Sequence, residues 1–220
     1  MDAILEPILQ SPRLKQIAEE LQSYLKTEDE RRLGFYKNVT EQEKSEFING
    51  EIITQSPVVM KHNLVVTRLS RLLSTYVSIN NMGFVGVEKI LVRLTRNDFE
   101  PDICFFNNEK ARNFGDKTMF FPAPDFVVEV LSKSTEKVDR TIKKEDYALH
   151  NVAEYWIIDT DKETIEQYFL NDTNEFELNV KVNEGIIHNK VIKGFDIEIQ
   201  SLFNEEQCNV TLKKLLNSVI

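Results

Sequence analysis

Apolar residues fill both odd and even positions of the run Phe126-Val127-Val128-Glu129-Val130-Leu131, interrupted by one glutamate. Valine and phenylalanine favour strands, and a strand apolar on both sides predicts a central strand covered on both faces. Glu154-Tyr155-Trp156-Ile157-Ile158-Asp159 predicts a second buried strand, and Asp102-Ile103-Cys104-Phe105-Phe106 a shorter one. Helical spacing stands out over 59–80, where Val65, Leu69, Leu72, Leu73, Tyr76 and Val77 make one stripe. It recurs over 11–26 (Leu14, Ile17, Ala18, Leu21, Leu25) and over 136–149, which carries Lys143 and Tyr147 on one face. Asn49-Gly50 between two short strand-like runs predicts a hairpin. Residues 84–94 alternate and predict a single strand; 27–32 read as a charged linker, and 107–123 as an irregular flap. The segments 164–170, 175–182 and 186–192 predict an antiparallel meander, and 210–219 an amphipathic stretch that caps the domain or meets a partner. The fold class expected from this pattern is α/β, with the meander at the C-terminal end.

The chain has 220 residues, enough for one domain with modest elaborations. No apolar run approaches the roughly 20 residues that span a bilayer, and Met1-Asp2-Ala3-Ile4-Leu5-Glu6 lacks the basic start and apolar core of a signal peptide. No membrane partner is expected. Cys104 and Cys208 match no zinc spacing, and Cys104 falls in an apolar strand as a buried thiol. A reducing, cytoplasmic location is the expectation.

A net charge of −9 excludes a protein that coats nucleic acid non-specifically. The charge is uneven, however. Residues 57–97 hold six cations against one acid, a net of +5; residues 133–144 hold five against two, a net of +3; residues 159–206 hold twelve acids against four lysines, a net of −8. The basic segments flank the strands bearing Asp102 and Glu129. A solvated helix face beside an acidic surface gives the same counts.

Glu129 carries the chemical argument. A carboxylate in a buried strand costs several kcal/mol unless a charge or hydrogen bond meets it, so a partner is implied. Asp102 opens a neighbouring strand, and each strand follows a Pro-Asp pair, Pro101-Asp102 and Pro124-Asp125. Two carboxylates on adjacent strands suit a hard divalent cation, Mg²⁺ or in its place Mn²⁺, held through oxygen. Such an ion acidifies a bound water and stabilises charge on a phosphate. A lysine nearby can position that water; Lys143 is the candidate, with Lys144 the neighbour that could be confused with it.

Together these residues resemble a known family. Glu46-Phe-Ile-Asn-Gly50, Ser56-Pro57 followed by His62, Glu100-Pro-Asp102, Pro124-Asp-Phe-Val-Val-Glu129-Val-Leu-Ser132, Asp139-Arg140-x-x-Lys143-x-x-x-Tyr147 and Glu154-Tyr155-Trp156 look like the bacterial restriction endonuclease-like family, whose nuclease core is written PD-(D/E)xK. The resemblance covers roughly residues 40–200. It implies a restriction endonuclease-like core of the α+β mixed-sheet kind, a central mixed sheet flanked by helices with the metal site at one end, Asp102 and Glu129 as metal ligands, and Lys143 assisting the attacking water. Glu46, His62, Arg140 and Tyr147 are expected around them. The lysine of the general pattern, two places after Glu129, is here Leu131, and the family carries it on the following helix instead. The domains implied are an N-terminal helical extension (1–32), the nuclease domain (33–205) and a C-terminal helical tail (206–220). The function implied is Mg²⁺-dependent cleavage of DNA phosphodiesters, as a homodimer. Two alternatives stand beside it: a nuclease-fold module that binds nucleic acid or protein without cutting, and a metal-dependent enzyme acting on another phosphate ester.

Bland readings compete at each residue. Glu129 could be half of a structural pair with Lys143 or Arg140, Asp102 could satisfy local amides, and Tyr147 and Trp156 read as core aromatics rather than base platforms. Arg140 fits an exposed helix pair or a phosphate contact equally.

Overall fold

A computed structural model of the chain describes residues 5–40 and 43–217. Its elements run α1 (Leu5–Leu9), α2 (Leu14–Asn38), β1 (Ser45–Ile48), β2 (Glu51–Thr54), α3 (Met60–Ile79), β3 (Gly83–Val87), β4 (Leu91–Arg93), β5 (Asp98–Phe99), β6 (Ile103–Asn107), α4 (Asn108–Ala111), β7 (Phe120–Phe121) and β8 (Phe126–Val130). Then come α5 (Glu136–Val138), a π-helical turn (Asp139–Lys143) and α6 (Lys144–Leu149), followed by β9 (Glu154–Asp159), β10 (Thr164–Leu170), β11 (Phe176–Val182), β12 (Ile186–His188), β13 (Asp196–Glu198), a 3₁₀ turn (Ile199–Leu202) and α7 (Glu205–Leu216).

The central sheet has the order β11-β10-β9-β8-β6-β3 and is mixed: β8 and β9 are parallel, the other pairs antiparallel. Strand alternation divides β8 between two cores. Phe126, Val128 and Val130 join Trp156, Ile158 and the α3 stripe of Val65, Leu69, Leu72 and Leu73, closed by Cys208 and Leu215 of α7. Val127 and Leu131 join Cys104, Phe106, Tyr155 and Ile157 against Tyr147 and Ala148 of α6. Covering on both faces explains the unbroken apolar run; each buried side chain of this size contributes about 1.5–3 kcal/mol. Glu129 shares the parity of Val127, so it enters the second core, beneath α6.

A second sheet, β2-β1-β5-β4-β7, lies beside this core. Its hairpin turns at Asn49 (φ 50°) and Gly50 (φ 86°), the double positive φ of a type I′ turn. The last helix, α7, packs into the first core, so the 210–219 stretch caps the domain as far as residue 217; residues 218 and 219 lie outside the described residues.

Several expectations are corrected. Residues 84–94 form two strands in two different sheets, because Glu88 takes a positive φ of 59° and breaks the run between β3 and β4. Residues 27–32 are no linker but the middle of α2, which therefore crosses the boundary expected at residue 32. The helix is held there by pairs distant in sequence: Glu28 to Arg96, and Arg32 to Asp98. Of the expected meander, residues 164–170 and 176–182 pair antiparallel as β10 and β11, but residues 186–188 leave it and pair with β13. The flap contains α4 and β7 and is anchored by Phe114 and Phe121, which pack with Phe84 and Phe106. Among the described residues, no helix is long and apolar enough to cross a membrane.

Candidate metal and nuclease site

Asp102 and Glu129 meet because β6 and β8 are antiparallel and in register at Ile103 and Val128, which puts the start of one strand beside the end of the other. Both carboxylates line a single cavity of about 420 Å³ at that end of the sheet. Its walls come from the segment entering α3 (Gln55, Pro57, Val58, Lys61), the turn after β8 (Leu131, Ser132, Lys133) and the end of β9 (Thr160, Asp161). A crevice at the carboxyl ends of parallel strands, here β8 and β9, is where open α/β sheets commonly bind ligands.

Each oxygen of Asp102 is engaged. Oδ1 accepts from Lys44 Nζ at 2.8 Å; Oδ2 accepts from the Val130 amide at 2.8 Å and faces His62 Nε2 at 3.3 Å. Burial alone would raise the Asp102 carboxyl; the His62 hydrogen bond and the Lys44 ammonium outweigh it and hold the group well below the usual carboxylate range. Burial opposes the charge on His62 in turn, and the bond to Asp102 overcomes it, so its pKa rises. His62 Nδ1 is buried without a hydrogen-bond partner.

Glu129 is 2% exposed and answers the question its sequence position poses. Lys143 Nζ donates to its Oε1 at 3.1 Å, and Tyr147 OH at 3.3 Å. Lys143 also lies 2.9 Å from Glu46 Oε1 and 3.3 Å from Asp139 Oδ1. One ammonium, 1% exposed, thus serves three carboxylates. Burial pushes the Glu129 carboxyl well above its ordinary value; Lys143 opposes the rise, and the nearby Asp139, Asp102 and Glu46 add to it. For Lys143, burial opposes the charge, but Glu129, Glu46 and Asp139 together raise its pKa well above the ordinary lysine value.

The π turn ends at Lys143. Such turns inside α-helices are rare and concentrate at functional sites. Here it brings Asp139 and Lys143 to the same side as Tyr147, where all three meet the Glu129 cluster.

Of the residues named from sequence, Asp102, Glu129, Lys143, Glu46, His62 and Tyr147 come together. Arg140 does not. Its guanidinium is committed to Glu166 at 2.7 and 3.1 Å and to Glu136 at 3.0 Å. The basic segments are also dispersed: Arg68 and Arg71 pair with Glu205, Arg96 with Glu28, while Lys61, itself paired with Asp161, and Lys133 line the cavity. Trp156 is fully buried and donates to Glu154 Oε1, a core role. Sequence reasoning passed over Lys44 and Glu88. The signal for Lys44 was its place just ahead of the Glu46 segment, since it lies before β1 and outside the strand period. Glu88 had none, since a loop residue shows no periodicity.

The donor set fits a divalent cation. Glu46, Glu88, Asp102, Glu129 and Asp139 surround two lysines and one histidine, an excess of carboxylate oxygen that a hard cation offsets. Among the described residues, no three His, Cys, Asp or Glu side chains form a ready cage. Mg²⁺ is usually held by one or two carboxylates together with water and substrate phosphate, which two ligands on one cavity match.

The whole of this constellation lies within residues 24–200, which match the Uma2 family model, described as "Putative restriction endonuclease". The chain belongs to this family. Two relatives from Synechocystis sp. resemble it: the uncharacterized protein slr1290, 30% identical across 62% of this chain and 71% of its own, and the uncharacterized protein sll1609, 32% identical across 57% and 72%. Among solved structures, a "putative nuclease belonging to DUF820" from Anabaena variabilis superposes with a TM-score of 0.66 at 21% identity, covering 77% of this chain and 94% of that one. The fold of this Uma2 member is therefore the restriction endonuclease-like one, with its mixed sheet flanked by helices.

Proposed function

We propose that the protein is a Mg²⁺-dependent endonuclease that hydrolyses DNA phosphodiesters, with Mn²⁺ able to replace Mg²⁺. The observation that carries this reading is the convergence of Asp102 and Glu129, from adjacent strands, on one cavity with Lys143 behind them. Asp102 and Glu129 would hold the cation, which when bound acidifies water and neutralises charge on the phosphate. His62 and the Val130 amide fix the Asp102 carboxylate; Tyr147 fixes Glu129. Lys143 stays protonated among its three carboxylates, orients the attacking water and offsets charge gathering on the phosphate. Lys133 and Ser132, at the cavity wall, meet the phosphate backbone. We place a two-fold dimer contact on the exposed Leu21 and Leu25 of α2; sedimentation of wild type beside Leu21→Glu/Leu25→Glu tests it, with a monomer expected from the variant.

The test of the activity is plasmid nicking together with Mn²⁺ binding, for wild type, Asp102→Asn and Glu129→Gln, each checked for folding. Binding and nicking are expected in wild type, and loss of both in each variant. Folded variants that nick at the wild-type rate would remove Asp102 and Glu129 from the mechanism. A non-cleaving DNA-binding module is the second reading, favoured by the burial of Lys143 within its carboxylates; it requires DNA binding that is indifferent to Glu129→Gln and no nicking with any metal.

A further inference from the structure

Lys44 stands directly on the carboxylate that the proposed function assigns to the metal. Its Nζ is 2.8 Å from Asp102 Oδ1 and 3.0 Å from Glu88 Oε2, and its side chain is largely buried. Glu88 is brought there by the backbone. Its amide donates to the Asp102 carbonyl at 2.9 Å, and it holds a left-handed φ of 59°, a conformation a glutamate keeps only where its surroundings impose it. The Glu88 side chain is more open to solvent than that of Asp102.

An ammonium and a divalent cation cannot both sit on Oδ1 without strong repulsion at contact distance. We propose that Lys44 is a built-in competitor for the metal: it neutralises Asp102 when no cation is bound, and moves wholly to Glu88 when one arrives. Lys44 thereby sets the metal affinity without being a ligand, and Glu88 is the positioning residue that receives it. This rests on the reading of Asp102 as a metal ligand.

Calorimetric Mn²⁺ titration of four proteins tests the idea: wild type, Lys44→Met, Glu88→Gln and the double variant, with folding confirmed by circular dichroism. Lys44→Met is expected to bind Mn²⁺ about tenfold more tightly than wild type, the change that follows from removing one close like charge. Glu88→Gln is expected to bind several-fold more weakly, because Lys44 loses its second acceptor. That weakening should largely vanish in the Lys44→Met background, a coupling that only a shared mechanism produces. Unchanged or weaker binding by folded Lys44→Met overturns the competitor. Should Lys44→Met misfold, the Glu88→Gln titration decides alone, and wild-type affinity there overturns the proposal. An equal loss from Glu88→Gln in both backgrounds overturns the transfer to Glu88. Absence of Mn²⁺ binding in all four proteins overturns the metal reading itself, a result distinct from each of these.

Discussion

Lys143 shows how much one residue can hold. Replacing it with methionine leaves Glu46, Glu129 and Asp139 buried without their cation. Breaking a buried pair from one side costs about 3–5 kcal/mol, and urea unfolding of Lys143→Met at pH 8 should show a loss in that range. At pH 5 the loss should shrink, because carboxyls whose pKa values are raised by burial take up protons in the folded state. Glu166 has the opposite sign. Burial pushes it up, but hydrogen bonds from Arg140, Lys181 and Tyr168 prevail and bring its pKa down to about 2. Its stabilising contribution is therefore complete above the ordinary glutamate value of 4.5 and is lost as pH falls toward 2. Glu166→Gln should be less stable than wild type at pH 6 and should lose less stability than wild type does between pH 4.5 and pH 2. Arg140 belongs to this acid-sensitive pair rather than to the Glu129 cluster.

At the level of elements, period and parity made most of the structure legible. The unbroken apolar run through 126–131 and the stripe through 59–80 each correspond to one element, the run because the strand is covered on both faces and the stripe because the helix is covered on one. Charged stretches were harder to read. Residues 27–32 resemble a linker in composition, yet their partners Arg96 and Asp98 lie more than sixty positions away, where no local pattern points. The same limit separated Asp102, Glu129, Lys143 and Tyr147, found by strand and helix spacing, from Lys44 and Glu88, contributed by irregular backbone. The Asn49-Gly50 turn was readable because its chemistry is local. Gly50→Ala would force a Cβ into a φ of 86° and place it 3.2 Å from the Glu28 side chain. A cost of about 1–2 kcal/mol is expected from thermal unfolding.

Across the whole molecule, stability and projection are separate. The first half of α2 buries almost nothing: Leu14, Leu21, Tyr24 and Leu25 are exposed, and the helix becomes anchored only from Glu28 onward. Removal of residues 1–26 should therefore change the free energy of unfolding by less than about 0.5 kcal/mol, as for other surface changes, measured in dilute protein. The acidic balance of the chain likewise says little about the site. Three cations of the basic segments, Arg68, Arg71 and Arg96, are spent in pairs with Glu205 and Glu28.

The π turn at Asp139–Lys143 also has a geometric meaning. In an α-helix, four residues overrun a full turn by about 40°, so positions 139, 143 and 147 of an unbroken helix would wind progressively away from one another. A wider turn under-rotates. Placed before an ordinary one, it cancels the winding and sets Asp139, Lys143 and Tyr147 in a column parallel to the helix axis, all addressing Glu129 and its neighbours. The segment therefore tolerates substitution better than a change in length. Deleting a single residue between 139 and 143 would leave three steps, about 300° of ordinary α-helix, and would set Asp139 roughly 60° out of line with Lys143 and Tyr147, so the column would be broken.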